Sequence, residues 1–349
     1  MNTADRLREF FSNKRNIAIL IHRNPDGDAI GSALAVQRFL NKWFDKYGKT
    51  ANITVISPSL IAYFLEWLPG AENIIRYPET PDKARSVLKE ADAIIYVDFN
   101  APTRIDELSE DLIASTAPVV LIDHHRDPQV NPQISYWDPE AASAAQLAWK
   151  FINDFQEPDL IDREIAECIY TGIMTDTGSF RFSSVTPEVH RIVADLLEYG
   201  VNPDKVYSLI YHRFSLRRLQ FFGHSITFRI RHLPEFKTTY MAIPLEDLQR
   251  FNIGPGETEG LVNYTLAIEG TRLGVLMIDR TRENKGNPMV RFSFRSKGNV
   301  HVDQFARQFF NGGGHHNAAG GTLYTTLEEA ETYFLQKLSH LLPELTKED

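Results

Sequence analysis

The sequence predicts an α/β protein, in which an N-terminal doubly wound parallel sheet is joined by a linker helix to a second, smaller α+β domain. Through the first 200 residues, short apolar runs alternate with helical patterns, which is typical of a parallel sheet covered on both faces. After His224 the strand patterns follow each other more closely, and 349 residues are many for one hydrophobic core. We therefore expect a first domain over residues 1–200, the linker helix over residues 201–224 and the second domain over residues 225–349.

In the first domain, the predicted strands are short apolar runs and the predicted helices carry apolar residues at helical spacing. Ile30, Leu34 and Phe39 show this spacing after the first strand. The predicted strands cover residues 17–21, 53–56, 93–97 and 119–122. The predicted helices cover residues 5–12, 29–44, 139–154, 162–175 and 187–199, and a polar helix rich in Arg and Tyr covers residues 204–222 at the linker.

In the second domain, four strand patterns separated by turns precede two helical patterns. The predicted strands cover residues 226–231, 239–244, 273–280 and 289–295, and the predicted helices cover residues 302–310 and 327–342. This order indicates a smaller α+β unit.

Charge and composition limit the classes of function. The formal net charge of −9 argues against a protein that coats duplex DNA, but it permits a phosphate-bearing substrate where bound cations cancel acidic charge. The single cysteine, Cys168, excludes a disulfide within the chain and fits a reducing compartment. The N-terminal segment lacks the apolar core of a signal peptide, and no apolar run is long enough to span a membrane. We expect a cytoplasmic protein without membrane contact.

Polar residues follow three of the predicted strands. His22, Asp26 and Asp28 lie in the loop after the first strand, and Asp98 follows the strand over residues 93–97. Asp123-His124-His125 ends the apolar run that begins at Val119. Since parallel strands deliver their carboxyl ends to one edge of a sheet, these side chains are expected to lie together. A turn with an N-cap would also explain Asp26 and Asp28, and a loop start would explain Asp98.

A fourth group follows the predicted helix over residues 162–175. Asp176 lies where an anion opposes the helix dipole, a cost that a bound cation would offset. Together the four groups supply five aspartates and up to three histidines. Carboxylate with imidazole favours divalent transition metals, and the oxygen-rich mixture favours Mn²⁺ over Zn²⁺. So many ligands fit two ions that share a bridging carboxylate, roughly 3.5–4 Å apart.

The second domain contains a glycine-rich segment with two histidines. Gly312, Gly313 and Gly314 precede His315, and Gly320 and Gly321 follow, so backbone N–H groups are available to an anion. Arg291 and Arg295 alternate with Ser293 on one face of a preceding strand. These residues favour phosphate binding, although a helix C-cap and solvated surface arginines would explain them equally well.

These motifs resemble those of the DHH phosphoesterase superfamily. The resemblance rests on His22-x-x-Pro25-Asp26-x-Asp28, the Asp98 strand end, Asp123-His124-His125 and Thr171-Gly172 with Asp176-Thr177-Gly178. Gly312-Gly313-Gly314-His315-x-x-Ala318-Ala319-Gly320 is similar to the glycine-rich motif of the DHHA1 domain. The motifs occur in the family's order over nearly the whole chain, and the layout is most similar to the nanoRNase subgroup.

The resemblance implies a site with two Mn²⁺ ions, for which Mg²⁺ or Co²⁺ could substitute. His22, Asp26 and Asp98 would hold one ion; Asp28, Asp98, His124 and Asp176 would hold the other. His125, Asp123 and Arg104 would be catalytic or supporting residues. Gly312, Gly313, Gly314 and His315, with Arg291 and Arg295 nearby, would bind the substrate. Phe99-Asn100 departs from the small or hydroxyl residues common after the bridging aspartate, and His316 is an additional histidine without an assigned role.

The resemblance also implies a metal-dependent phosphodiesterase that hydrolyses short oligoribonucleotides to 5′-mononucleotides, with 3′-phosphoadenosine 5′-phosphate as a second substrate. The alternatives are a phosphodiesterase for cyclic or linear dinucleotides, a pyrophosphatase or polyphosphatase, and a catalytically silent nucleotide-binding module. The expected partners are short RNA or a nucleotide rather than long duplex DNA. The sequence does not decide whether the chain forms a homodimer.

Overall fold

The computed structural model describes residues 2–254 and 256–347, which form two compact units that divide between Arg213 and Phe214. The first unit contains a parallel sheet and the second a mixed sheet, each with helices packed against it. The predicted α/β architecture with a second α+β unit is therefore confirmed. Among the described residues, no helix is both long and apolar enough to cross a membrane.

The strands of the first unit pair in parallel in the order β3-β2-β1-β4-β5-β6. The strands are β1 (Asn16–Ile21), β2 (Asn52–Ser57), β3 (Ile75–Arg76), β4 (Ala93–Val97), β5 (Val119–Asp123) and β6 (Ile134–Trp137). The chain builds outward from β1 to β3 and then returns to place β4 on the other side of β1. The crevice at such a reversal, outside the carboxyl ends of the strands, is where open α/β sheets bind ligands.

Helices cover both faces of this sheet. They are α1 (Thr3–Ser12), α2 (Gly27–Lys46), α3 (Pro81–Glu90), α4 (Ser109–Ala114), α5 (Ala144–Asn153), α6 (Arg163–Asp176), α7 (Pro187–Glu198) and α8 (Pro203–Tyr211). Successive strand residues point to opposite faces. Ile19 and Ile95 accordingly pack in the core under α2, α5 and α6, whereas Leu20 and Tyr96 pack with α3 and α4. Both faces of the sheet are therefore apolar, and each is covered by helices, as in a doubly wound fold.

The strands of the second unit lie in the order β11-β12-β10-β9-β8-β7, antiparallel except for β8 with β9. Its elements are α9 (Leu216–Phe228), β7 (Ile230–Leu233), β8 (Thr238–Ile243), α10 (Leu245–Arg250), β9 (Leu273–Asp279), β10 (Val290–Ser296), α11 (Val302–Phe309), β11 (Gly313–His315), β12 (Ala318–Leu323), α12 (Leu327–Lys337) and α13 (Leu342–Thr346). Phe292 and Phe294 pack with α11 and α12, while Leu276 and Ile278 pack with α9 and α10.

The structure differs from the sequence prediction at the linker. The single helix predicted over residues 204–222 is wrong, because α8 ends at Tyr211 and α9 begins after Ser215. The Ser215 hydroxyl accepts a hydrogen bond from the Arg218 N–H at 3.2 Å and so caps a new helix. The strand predicted over residues 226–231 is wrong in its first half, since α9 continues to Phe228 and buries Phe221 and Ser225 at helical spacing.

Candidate functional site

The three neighbouring strands β1, β4 and β5 bring their terminal polar residues to one point. The His22 Nε2 atom lies 3.2 Å from Asp98 Oδ2, and His124 Nε2 lies 3.5 Å from Asp98 Oδ1. Asp98 is 2% exposed and adopts a left-handed backbone conformation with φ of 61°, which aspartate tolerates better than most residues. Each oxygen of one buried carboxylate therefore faces a different histidine.

Asp26 serves as the N-cap of α2 and also lies beside His22. Its Oδ1 atom accepts hydrogen bonds from the N–H groups of Asp28 and Ala29 at 3.0 and 3.1 Å. The same oxygen is 4.0 Å from His22 Nε2. Ligand atoms of His22, Asp26 and Asp98 all lie within 4.8 Å of one another. The N-cap interpretation and the metal-ligand interpretation of Asp26 are thus compatible.

Asp28 is fully buried against the N-terminus of α5. Its Oδ2 atom accepts a hydrogen bond from the Ala144 N–H at 2.6 Å, and its Oδ1 atom accepts one from the Ala145 N–H at 2.8 Å. The positive end of the helix dipole favours an anion at this place. Asp28 Oδ2 is also 3.8 Å from His124 Nε2, and ligand atoms of Asp28, Asp98 and His124 lie within 4.8 Å of one another.

Close helix packing holds Asp28 in this position. A Cβ atom at Gly172 of α6 would lie 2.6 Å from Ala145 Cβ and 2.9 Å from Asp28 Oδ1. A Cβ at Gly31 of α2 would collide with the carbonyl oxygen of Cys168 on α6. The absent side chains therefore let α2, α5 and α6 approach closely enough to meet at Asp28.

Asp176 is the last residue of α6 and lies at the same cluster. Its Oδ2 atom is 3.6 Å from His124 Nε2, and a quarter of its side chain is exposed. The four motif groups of the sequence therefore meet around His124 and Asp98.

The electrostatics of this cluster suit a cation. Burial would raise the pKa of Asp98, but His124 and His22 beside it outweigh burial and hold that pKa well below its usual value. Burial also opposes charge on both imidazoles, yet Asp98 outweighs it and the pKa of His22 and of His124 is raised. Burial and the charges of Asp98 and Asp176 raise the pKa of Asp28 well above its usual value.

Asp98 Oδ1 supplies a direct test of whether a metal ion fits. This oxygen is buried, and no described residue donates a hydrogen bond to it. His124 Nε2 at 3.5 Å and His125 Nδ1 at 3.6 Å lie near this oxygen but too far for a good hydrogen bond, and a metal ion between them would satisfy it. The donor set of imidazole nitrogens and carboxylate oxygens is also that of a divalent transition metal. The residues present fit one or more such ions.

Asp123 and His125 form a buried pair next to the cluster. His125 Nδ1 lies 2.8 Å from Asp123 Oδ1, and Asp123 is fully buried. Burial raises the pKa of Asp123 to about 7 and holds the pKa of His125 well below its usual value. Arg104, in the 3₁₀ helix Pro102–Leu108, is half-buried, and its positive charge lowers the pKa of His125 further.

In the second unit, the glycine-rich segment forms a β-hairpin, and at its start the Gly312 N–H also caps α11 by donating to the Ala306 carbonyl oxygen at 3.1 Å. Gly313–His315 pairs with Ala318–Leu323, and His316-Asn317 makes the two-residue connection. A Cβ at Gly312 would collide with the Gly320 carbonyl oxygen, and Gly314 combines a φ of 146° with a Cβ position 2.5 Å from Ala318 O. The hairpin therefore requires glycine at Gly312 and Gly314.

Gly313 and Gly320 have no such steric cause. A Cβ at Gly320 would meet only the Phe292 carbonyl oxygen at 3.4 Å, and one at Gly313 would meet only Arg307 atoms at 3.6 Å. Gly313 pairs with Gly320, which pairs with Ser293 on the half-exposed face of β10. On this half-exposed face, Gly313 and Gly320 therefore contribute no side chains of their own.

Arg291 and Arg295 lie on that same half-exposed face, as the alternation in the sequence predicted. Arg295 pairs with Ala318, and Ala318 pairs with His315, so the three residues form one row across the strands. Arg307 of α11 lies beside Gly313 and was missed by the sequence analysis. It belongs to no motif, and its helical spacing is that of an ordinary exposed position.

Comparison with known proteins identifies the family. The model of the DHH family, N-terminal domain, matches residues 16–173, and the DHHA1 domain model matches residues 237–344. The chain belongs to the DHH phosphoesterase family, and its second unit contains a DHHA1 domain. The predicted family is confirmed.

Individual relatives match over most of their length. The bifunctional oligoribonuclease and PAP phosphatase NrnA of Thermus thermophilus is 33% identical over 328 residues, covering 88% of this chain and 84% of that protein. The protein of the same name from Bacillus subtilis is 26% identical and covers 88% and 90%. The crystal structure of an exopolyphosphatase-related protein from Bacteroides fragilis is 35% identical with a TM-score of 0.89, covering 99% of this chain and 98% of that one.

Proposed function

We propose that this protein hydrolyses short oligoribonucleotides to 5′-mononucleotides and removes the 3′-phosphate of 3′-phosphoadenosine 5′-phosphate. The observation that carries the proposal is the Asp98 carboxylate, which presents one oxygen to His22 and the other to His124 at the switch point of the sheet. The names of the two NrnA relatives support the choice of substrates.

The proposal assigns two divalent cations to the first unit, with Mn²⁺ as the expected ion. His22, Asp26 and Asp98 would hold one cation; Asp28, Asp98, His124 and Asp176 would hold the other. When bound, such ions lower the pKa of water and stabilise the charge that develops on a phosphoryl oxygen. The assignment is supported by the two groups of ligand atoms that share Asp98. Both oxygens of Asp28 already accept hydrogen bonds, Oδ1 from Ala145 and Ser32 and Oδ2 from Ala144 alone, so Oδ2 keeps the greater remaining capacity and is the oxygen that would contribute.

His125 is the proposed residue next to the scissile phosphate. His125 Nδ1 lies 2.8 Å from Asp123 Oδ1, so a neutral ring that donates its Nδ1 proton to Asp123 would leave Nε2 as the atom that can take up a proton. Asp123 also fixes the ring orientation and would stabilise the protonated form of His125. Arg104 adds a positive charge nearby, which favours an anionic substrate.

The second unit would bind the terminal nucleotide. Arg291, Arg295 and His315 offer donors for phosphate oxygens, and Gly313 leaves the strand backbone open to close approach by the ligand. Gly312 and Gly314 would act indirectly by permitting the hairpin. A few donors on one sheet face suit a nucleotide better than a long duplex.

A substrate panel tests the proposal. Wild-type protein and Asp98→Ala would be compared on end-labelled RNA from dinucleotide to 24-mer and on 3′-phosphoadenosine 5′-phosphate, with Mn²⁺ and with Mg²⁺. Cyclic di-AMP, pyrophosphate and polyphosphate would complete the panel. Because the site offers few phosphate contacts, we expect the wild type to prefer short RNA of roughly two to five nucleotides. Preference for the 24-mer or for a cyclic or inorganic substrate would reject the assigned substrates, and equal activity of Asp98→Ala would reject the assigned centre.

A further inference from the structure

His316 is the motif residue that the proposed function leaves unexplained. It follows His315 directly and occupies the connection between β11 and β12. Its imidazole packs on His301, with 4.0 Å between the ring centroids, and its Nε2 atom lies 3.2 Å from the carbonyl oxygen of Gly298. Its own carbonyl oxygen accepts a hydrogen bond from the Val302 N–H at 3.0 Å. The side chain of His316 therefore attaches to the segment before α11, and its backbone attaches to the first residue of that helix.

Asn317 attaches the other half of the connection to the same segment. Its side-chain amide donates to Ser296 Oγ at 2.8 Å and to the Gly298 carbonyl oxygen at 3.0 Å. Its carbonyl oxygen accepts a hydrogen bond from the Ser296 N–H at 3.0 Å. Gly298 O thus accepts from both residues of the hairpin tip, which requires the proton of a neutral His316 ring to be on Nε2.

The segment that receives the tip is itself fixed. The Ser296 hydroxyl donates to the Val300 carbonyl oxygen at 2.7 Å, and the His301 N–H donates to Glu344 Oε2 at 2.7 Å. Val300 is fully buried. The hairpin tip is consequently attached to a segment that is connected to both the core and the last helix of the unit.

Before His315 the chain is restrained through its backbone, since the Gly312 N–H donates to the Ala306 carbonyl oxygen at 3.1 Å and β11 pairs with β12. Gly312, Gly313 and Gly314 have no side chains to pack, and glycine loses more backbone freedom on ordering than any other residue. β11 is also an edge strand, so it pairs with β12 alone in the sheet. His316 and Asn317 therefore anchor the hairpin by side-chain contacts immediately after His315.

We propose that His316 is a positioning residue, which holds His315 in the orientation that contacts the substrate's terminal nucleotide. This inference rests on the proposed function, because it takes His315 as the nucleotide ligand. His316 does not contact the nucleotide; it acts through His315, and its packing on His301 and its hydrogen bond to Gly298 supply the restraint. A displacement of about 1 Å at a positioned group can cost on the order of 100-fold in activity.

A double-mutant cycle tests the proposal. AMP affinity by calorimetry and the KM and kcat for a dinucleotide would be measured on the full-length wild type, His315→Ala, His316→Ala and the double variant. We expect each single variant to weaken AMP binding and raise KM by about 10-fold to 100-fold. The double variant should be no weaker than His315→Ala, because two residues that act through one contact are not additive. Metal content should stay at the wild-type value.

Three further variants separate positioning from general damage. His316→Gln keeps a donor for Gly298 and should recover part of the affinity. His301→Ala removes only the ring on which His316 packs and should weaken AMP binding less than His316→Ala does. If His316→Ala does not fold, His301→Ala still tests the proposal. His340→Ala is the matched control, since His340 packs on Phe309 of the same unit with 4.7 Å between centroids, and it should bind AMP like the wild type.

The outcomes distinguish this proposal from the proposed function. Wild-type affinity in both His316→Ala and His301→Ala, or losses that multiply in the double variant, would overturn the positioning role. If the wild type binds AMP but cleaves no oligonucleotide, the proposed function fails, and the cycle on AMP affinity still decides the role of His316. If the wild type binds no nucleotide, both proposals are overturned.

Discussion

Asp98→Asn tests the metal centre with the smallest change of shape. The amide has nearly the volume of the carboxylate but loses its negative charge, at a residue that is 2% exposed. Both oxygens are involved, because one lies 3.2 Å from His22 Nε2 and the other 3.5 Å from His124 Nε2. If Asp98 bridges two ions, this one substitution weakens the binding of both.

The expected effect on catalysis is large. Metal ions contribute several kcal/mol to a phosphoryl-transfer transition state. A loss of about 4 kcal/mol corresponds to about a 10³-fold decrease in rate. We therefore expect kcat for a dinucleotide to fall by about 10³-fold or more.

The same substitution should remove stabilisation by metal. An ion at 100 times its Kd stabilises the folded state by about 2.7 kcal/mol. In a unit of this size that corresponds to a rise of roughly 5–10 °C in melting temperature. Because two ions are proposed, we expect Mn²⁺ to raise the melting temperature of the wild type by about twice this amount, roughly 10–20 °C, and to leave that of Asp98→Asn nearly unchanged.

The assay combines kcat, bound Mn²⁺ per chain by elemental analysis, and melting with and without Mn²⁺. Asp195→Asn makes the identical chemical change at an exposed position of α7 and should match the wild type in all three. If Asp98→Asn retains wild-type kcat and wild-type metal content, Asp98 is not the bridging ligand and the assigned centre is refuted.

Three further predictions concern other parts of the chain. Asp123→Asn should lower kcat by about 10–100-fold without loss of metal, because it weakens the hydrogen bond that orients His125 beside the metal centre. An unchanged kcat would contradict this prediction. In urea unfolding, Gly321→Ala should cost about 1–3 kcal/mol, since its Cβ would lie 2.6 Å from Phe310 Cβ, and Gly320→Ala should cost less. Burial would raise the pKa of Asp162, but Arg38, Lys42 and the Ile165 N–H lower it to about 2, below the usual 3.8. Its ionised form therefore stabilises the fold above about pH 4, and this contribution is lost as pH falls towards 2. Asp162→Ala should cost about 1–2 kcal/mol at pH 7 and roughly half as much at pH 3, unlike exposed Asp159→Ala.

The cluster at the sheet edge could be predicted because its signal is local. His22, Asp98 and His124 each follow an apolar run, and the geometry of parallel strands takes such ends to one edge. Only the order of the strands was needed to make them neighbours, and β1, β4 and β5 are adjacent. The resemblance to a family supplied the assignment of roles that spacing alone left open.

Other features depend on contacts that are distant in sequence. Asp28 is held by the N–H groups of Ala144 and Ala145, more than 100 residues away, and no local pattern indicates that pairing. The steric role of each glycine in the glycine-rich segment could not be predicted, for a different reason. A glycine in the sequence shows only that a side chain is absent. The sequence therefore does not distinguish Gly312, where a Cβ would collide with the Gly320 carbonyl oxygen, from Gly320, where a Cβ would fit.

The two units differ in net charge, and this difference indicates different roles for their two sites. Residues 1–213 contain 21 basic and 31 acidic residues, whereas residues 214–349 contain 16 basic and 15 acidic residues. All of the net negative charge thus belongs to the unit with the carboxylate cluster, which would repel a phosphate unless cations neutralise it. The second unit is nearly neutral and carries Arg291 and Arg295 on an open sheet face. Nucleotide affinity should therefore persist without metal while hydrolysis does not, and chelation should lower kcat far more than it weakens AMP binding.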